Sequence, residues 1–100
     1  MLNKNQKKLL RTLAHDRSVI IWIGPQGLTD NVISEIQTAL AHHELIKISV
    51  RAGAREQRDQ IMDSICQLTQ AQQVQKIGNT LTIFKRNPKQ PKISLSGEGS

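Results

Sequence analysis

A short loop framed by two glycines, Gly24-Pro25-Gln26-Gly27, is the part of the sequence best suited to binding chemistry. The five apolar residues 19–23, most of them β-branched, precede it and have the composition of a buried strand. Thr29 follows as a candidate N-cap of a helix. A strand that runs through such a loop into a helix leaves backbone N–H groups free at the positive end of the helix dipole. The loop is therefore a candidate phosphate site.

The same loop also has a purely structural interpretation. Two glycines at a strand–helix junction can serve only a tight turn and close helix packing. Pro25 removes one backbone donor, whereas the side-chain amide of Gln26 can hydrogen-bond a base or a sugar. The loop lacks the third glycine of a dinucleotide fingerprint and the Gly-Lys-Ser/Thr of a P-loop, so we predict no nucleotide cofactor.

The balance of charge indicates a polyanionic partner. The chain has 14 Lys and Arg against 8 Asp and Glu, a formal net charge of +6, which favours nucleic acid. No Lys or Arg occurs over residues 18–46, so the loop depends on cations that are distant in sequence. We predict that RNA is contacted by the loop residues Gly24, Pro25, Gln26 and Gly27 and by the cations Lys4, Lys7, Lys8, Arg11, Lys47, Arg51 and Arg55.

Two groups of these cations have an alternative role. The basic side of the first helix could be a solvated face that keeps the protein in solution. Lys47 and Arg51 share one face of a strand and could merely protect a sheet edge from pairing. The first helix and the glycine loop can form one phosphate-binding surface only if they pack near each other.

Apolar periodicity predicts the elements that position these residues. Helices are expected over 4–15, 29–43 and 54–70, and strands over 18–23, 45–51, 73–77 and 80–85, with a hairpin turn at Gly78-Asn79. The order α-β-α-β-α-β-β predicts an α/β fold: one compact domain over 1–86 with a four-stranded mixed sheet and packed helices. Strands one and two should be parallel. Prolines and a Ser/Gly-rich end predict a flexible tail over 87–100.

The apolar pattern also predicts what is buried. Strand one, apolar on both faces, should be central and covered on both sides, with Trp22 in the core. Strand two has one polar face, which should be wet or covered only by loops. The third helix should bury Ile61, Ile65 and Leu68, with Met62 at the margin of that stripe. Because Phe84 is the only other aromatic residue, a sheet that stacks bases is not predicted.

The remaining reactive side chains do not form a recognisable catalytic or metal site. His42 and His43 are adjacent and point in different directions, so helix capping or packing is predicted for them, with RNA contact as the alternative. His15 should behave in the same way. Cys66, the single cysteine, is interpreted as a packing residue. We predict no catalysis and no metal.

Several features predict a cytoplasmic protein. A single cysteine fits a reducing compartment, and the lysine-rich N-terminus lacks the apolar region of a secretory signal. The longest apolar run is far too short for a membrane span. No heptad pattern suggests a coiled coil, and a monomer is expected.

Several segments spread along the chain form a recognisable set. They are Leu13-Ala14-His15, Gly24-Pro25-Gln26-Gly27-Leu28-Thr29, His42-His43-Glu44-Leu45-Ile46-Lys47, Arg55-Glu56, Ile77-Gly78-Asn79-Thr80-Leu81 and Phe84-Lys85-Arg86. Together they resemble the CRM domain family (chloroplast RNA splicing and ribosome maturation), in its stand-alone bacterial YhbY-type form. The resemblance covers roughly residues 2–86. It implies a fold similar to the C-terminal domain of translation initiation factor three and a GxxG loop analogous to that of KH domains. It also implies binding to ribosomal RNA in precursors of the large (50S) subunit.

The functional hypothesis is a non-catalytic RNA-binding protein that assists ribosome assembly. The first helix and strand two would neutralise phosphates, while the glycine loop lets the RNA backbone approach the second helix. Two hypotheses from other classes stay open: a protein–protein adaptor that docks on acidic ribosomal or regulatory partners, and a small hydrolase.

Overall fold

A computed structural model describes residues 2–95 of the chain. Within them, three helices and four strands follow the predicted order, which confirms the α/β fold. Their bounds are α1 Lys4–His15, β1 Ile21–Ile23, α2 Asp30–His43, β2 Leu45–Val50, α3 Arg55–Thr69, β3 Gln72–Ile77 and β4 Thr80–Phe84.

The four strands form one mixed sheet in the order β1-β2-β4-β3. β1 runs parallel to β2, with Ile21 opposite Ile48. β4 is antiparallel to both β2 and β3, and it forms the predicted hairpin with β3. Gly78 adopts a φ of +57° in the hairpin turn, a backbone conformation that favours glycine.

Helices cover both faces of this sheet. On one face α2 and α3 bury a cluster in which Ile36 and Ile65 pack against the inward side chains of the strands. On the other face α1 packs Leu10 and Ala14 against Leu45 and Phe84. Successive strand side chains point to opposite faces, so the two central strands, β2 and β4, contribute to both clusters. α1 covers only part of its face of the sheet and leaves a groove open beside it.

The predicted central position of strand one is wrong. β1 is an edge strand of three residues, and its Trp22 is 61% exposed while Ile21 and Ile23 are buried. The run 18–23 was expected to pair throughout, but regular pairing with β2 begins only at Ile21. The sequence pattern could not show that one face of this apolar run lies beyond the part of the sheet that α1 covers.

Two predictions about burial are also corrected. In α3, Leu68 is 58% exposed and Met62 is fully buried, because the helix turns the stripe Met62, Ile65 and Thr69 toward the sheet. Both this stripe and the predicted one have helical spacing. The polar face expected for strand two is partly covered, since α1 packs on Leu45, and Ser49 is only 3% exposed.

The flexible tail predicted from Asn87 is wrong for residues 87–95. Ile93 and Leu95 are buried in the cluster under α1. Their segment is anchored by Glu44, a fully buried carboxylate at the end of α2. Residues 96–100, the rest of that predicted tail, lie outside the described residues. Proline and glycine content reported the lack of regular structure but not the tertiary contacts.

The Glu44 carboxylate accepts hydrogen bonds from a guanidinium and from three backbone amides of this segment. The Arg86 guanidinium lies 2.9 Å from each carboxylate oxygen. The backbone amides of Asn87, Lys92 and Ile93 donate to the same carboxylate at 2.6, 2.6 and 2.8 Å. Burial raises the pKa of this carboxyl, but these donors outweigh it and hold the pKa below its ordinary value.

Candidate nucleic-acid interface

The glycine loop is a tight turn at the carboxyl end of β1. The amide of Gly27 donates to the carbonyl of Gly24 at 3.0 Å, and Gly27 has a φ of +71°. Thr29 caps α2 as predicted, because its hydroxyl accepts from the amide of Val32 at 3.2 Å. The Gly27 amide is thus already used within the turn. Within residues 2–95 no protein group accepts from the amides of Gly24, Gln26 and Leu28, so these donors remain at and just beyond the loop.

The loop lies beside the start of α3. Adjacent parallel strands β1 and β2 end at the same edge of the sheet, so the helices that follow them both begin there. A cleft of about 550 Å³ separates the two connections, and Pro25 and Leu28 line it opposite Gly53 and Gln57. Two helix N-termini therefore direct their positive ends toward one edge of the molecule.

Two predicted cations lie at this edge. The backbone amide of Arg51 donates to the carbonyl of Ile23 at 2.8 Å, which places Arg51 next to the loop. Arg55 is the first residue of α3 and is exposed. A cation at a helix N-terminus opposes the dipole, so Arg55 does not stabilise α3. Acidic side chains also occupy the first turns, Asp30 in α2 and Glu56 in α3.

A second concave surface, the sheet groove, lies where α1 leaves its face of the sheet open. It encloses about 640 Å³, with Arg11 and His15 of α1 on one side and Lys47 of β2 beneath. The ammonium of Lys47 is held by the carbonyl of Arg17 at 3.1 Å. The groove is lined by Arg11, Thr12, His15, Asp16, Lys47, Gln75, Ile77, Thr80 and Thr82.

The other cations of α1 extend the basic rim of the groove. Lys4 and Lys8 are exposed and Lys7 is half-buried. Lys7 and Arg11 are four residues apart, as are Arg11 and His15, so these side chains follow one another along one side of the helix. α1 and α2 pack on opposite faces of the sheet, and the open part of the α1 face lies between α1 and the loop. The continuous surface predicted for α1 and the loop can therefore form only across the open part of the sheet that lies between them.

Sequence reasoning missed several residues of this surface. Gln75, Thr80 and Thr82 line the groove, and Trp22 is exposed on the same face. The spacing of Thr80 and Thr82, two residues apart in one strand, is a signal for a shared polar face. Trp22 carried no such signal, because it stands between apolar residues on both sides.

Within residues 2–95, the histidines and the cysteine do not come together in one site. His42 and His43 are exposed in the last turn of α2, their rings 6.4 Å apart. Cys66 packs against the core, as predicted, and burial together with the Asp63 carboxylate raises the pKa of its thiol. Across residues 2–95, no three His, Cys, Asp or Glu side chains are grouped to hold a metal ion. In the same range no helix has the length and apolar character needed to cross a bilayer.

Comparison with known proteins is consistent with this geometry. The family described as the CRS1 / YhbY (CRM) domain matches residues 2–85. A Haemophilus influenzae protein named "RNA-binding protein" is 42% identical over 94 residues, 94% of each chain. Bacillus subtilis "Probable RNA-binding protein YqeI" is 36% identical over 95% of this chain and 99% of its own.

A solved structure extends the similarity to three dimensions. The solution structure of the Staphylococcus aureus protein SAV1595 matches with a TM-score of 0.79 and 32% identity. The match covers 95% of this chain and 99% of that protein. On sequence and on fold, the chain belongs to the CRS1/YhbY (CRM) domain family.

Proposed function

We propose that this protein is a non-catalytic RNA-binding module. The observation that carries the proposal is the sheet groove, where Arg11 on one side and Lys47 beneath border an open part of the sheet. Arg51, just beyond the end of β2, lies next to the glycine loop. A concave surface lined with cations fits a sugar–phosphate chain. The names of the relatives from Haemophilus influenzae and Bacillus subtilis support the same function.

In the proposed mechanism, cations position the RNA and few groups identify its bases. Arg11, Lys47, Arg51 and Arg55 neutralise phosphates, while the free amides of Gln26 and Leu28 donate to backbone oxygens at the start of α2. The basic rim of α1, Lys4, Lys7 and Lys8, extends this contact. Recognition then depends more on the folded shape of the RNA than on its sequence.

The natural substrate in this proposal is ribosomal RNA within precursors of the large ribosomal subunit. Its support is the family resemblance, which implies a role in ribosome assembly. The single cysteine of the sequence supports the cytoplasm as its compartment. We propose that it acts there as a monomer. A protein–protein adaptor on the same basic surface is the competing function, and sensitivity to salt and to nuclease separates the two.

Salt dependence tests the proposed RNA binding. With seven phosphate contacts on a single-stranded site, one for each cation of the proposed mechanism, the logarithm of the binding constant should fall with the logarithm of salt concentration with a slope of about −5. The measurement is fluorescence anisotropy of a labelled large-subunit ribosomal RNA transcript across a salt series. A flat response would contradict the proposal. Association with ribosomal particles that survives complete nuclease digestion would favour the adaptor.

A carboxylate placed in the glycine loop tests its contact with RNA. We expect Gly24→Asp to weaken RNA affinity by about tenfold, because a negative charge would stand beside the phosphate chain. Gly24 is the suitable position, since a Cβ there meets nothing within 4 Å and, unlike Gly27, it does not require a positive φ. Gly24→Asn is the neutral control of similar size and should bind almost normally. Equal affinity of the two variants would make the loop only a turn.

A further inference from the structure

We propose that Trp22 is a stacking platform for an unpaired base of single-stranded RNA. This inference rests on the proposed RNA-binding function and specifies the form of RNA that the open sheet face accepts. It reverses the prediction that Trp22 lies in the core and that the sheet does not stack bases.

The exposure of Trp22 is the first observation. Its strand neighbours Ile21 and Ile23 are 3% and 1% exposed, whereas Trp22 between them is 61% exposed. Alternation along β1 directs the indole to the face that α1 only partly covers. A large aromatic ring in water forfeits most of the stabilisation that burial would give it, so it adds little to this core.

The surroundings of the ring are flat and polar. Trp22 lies opposite Ser49, Ser49 opposite Thr80, and Thr80 opposite Ile77, so these residues form one row across all four strands. The outer strands of such a sheet are about 14 Å apart. Ile77 at the far edge is 64% exposed, and between the two large side chains lie the small hydroxyl residues Ser49, which is buried, and Thr80, which is half-buried.

Charge beside this row favours a nucleotide as the occupant. The guanidinium Nε of Arg51 donates to the Ser49 hydroxyl at 3.3 Å, which holds the cation over the residue paired with Trp22. Lys47 and Arg11 follow in the adjoining groove, where Asp16 is the acidic residue among the lining side chains described. A nucleotide whose base stacks on the indole would therefore have its phosphates close to these cations.

The chemistry of the site favours RNA over a protein partner. The centre of a protein interface is a contiguous apolar patch, but the neighbours of Trp22 in its row are Ser49 and Thr80. Stacking needs one accessible ring face and is tolerant of base identity, and cations beside it hold the backbone. Duplex RNA keeps its bases stacked internally, so the platform requires single strands, loops or bulges.

Intrinsic fluorescence provides a direct test, because Trp22 is the only tryptophan in the chain. A short oligoadenylate should quench Trp22 emission on binding. An abasic oligomer of the same length, which offers phosphates without bases, should bind without quenching. Trp22→Leu should lower oligoadenylate affinity by about tenfold with an unchanged salt slope, since stacking releases no counterions. Trp22→Phe should retain most of the affinity.

Leu68→Ala is the matched control, because it removes a large side chain that is 58% exposed from α3, on the opposite face of the sheet. It should leave affinity within about twofold of the original, as expected for an exposed residue outside the contact. Unchanged fluorescence with salt-dependent oligoadenylate binding, or equal losses in Trp22→Leu and Leu68→Ala, would overturn the stacking inference and leave RNA binding intact. Self-association that Trp22→Leu abolishes, with RNA affinity unchanged, would make this face a protein interface. Absence of any RNA binding would refute both proposals.

Discussion

Replacing Glu44 by alanine should lower the free energy of unfolding by about 3–5 kcal/mol. The carboxylate is fully buried and receives the Arg86 guanidinium together with three backbone amides. Its removal takes one acceptor from Arg86, which keeps the carbonyl of Ile93, and leaves three backbone amides without the carboxylate, and each loss has a desolvation cost. Chemical denaturation followed by circular dichroism measures this effect. Glu35→Ala, which removes an exposed carboxylate from the same helix, should change stability by less than about 0.5 kcal/mol.

Lowering the pH should reduce the stability that the Glu44 carboxylate contributes. Because folding depresses the pKa of Glu44, its contribution is fully present above the ordinary value of 4.5 and is lost as pH falls through the folded-state value. The stability difference between the original protein and Glu44→Gln should therefore be largest near neutral pH and shrink in acid. A difference that stays constant from pH 7 to pH 3 would contradict the role assigned to the ionised carboxylate.

The contacts of Glu44 give a physical role to one of the segments that carry the family resemblance. The segment His42-His43-Glu44-Leu45-Ile46-Lys47 combines the end of α2, this anchor, the first core residues of β2 and the groove lysine. Glu44 adopts a φ of +60°, a conformation uncommon for residues other than glycine, and the hydrogen bonds to its carboxylate offset that strain. The anchor holds residues 87–95 against the core that α1 covers.

Replacing Lys7, Lys8 and Arg11 together by alanine should weaken RNA binding by about tenfold or more at low salt, for all RNA sequences alike. The salt slope should decrease in magnitude by about 2, since three phosphate contacts on a single strand would be lost. Alanine is the strongest helix former, so α1 should remain folded. Anisotropy titrations with the labelled ribosomal RNA transcript, repeated at several salt concentrations, measure both quantities.

A second triple variant separates local contact from net charge. Lys85, Lys89 and Lys92 are exposed and do not line the groove, and their replacement by alanine removes the same three charges. This control should lose far less affinity than the α1 variant. Equal losses would show that total charge drives association, and an unaffected α1 variant would refute the contact assigned to α1.

Much of the candidate site could be predicted because it depends on local sequence. The glycine loop, the Thr29 cap and the start of α2 lie within a few residues of one another, and backbone preferences act over that distance. Arg51 was predicted only from the face it shares with Lys47 on strand two, and the parallel pairing of β1 with β2 brings it next to the loop. The groove exists because α1 covers only part of its face of the sheet. Local sequence preferences do not specify how much of a sheet a helix covers.

The sequence by itself determined the helices, the strands, their order, the Gly78-Asn79 hairpin and the positive charge, because each follows from side-chain period, turn residues or composition. Only the tertiary structure decided that β1 lies at an edge, that Trp22 faces water, and that Ile93 and Leu95 return to the core. A hydrophobic period reports which residues can share a face, but burial depends on what distant segment covers that face. In this protein those covering segments are α1 and residues 87–95, held in place by the buried charge of Glu44.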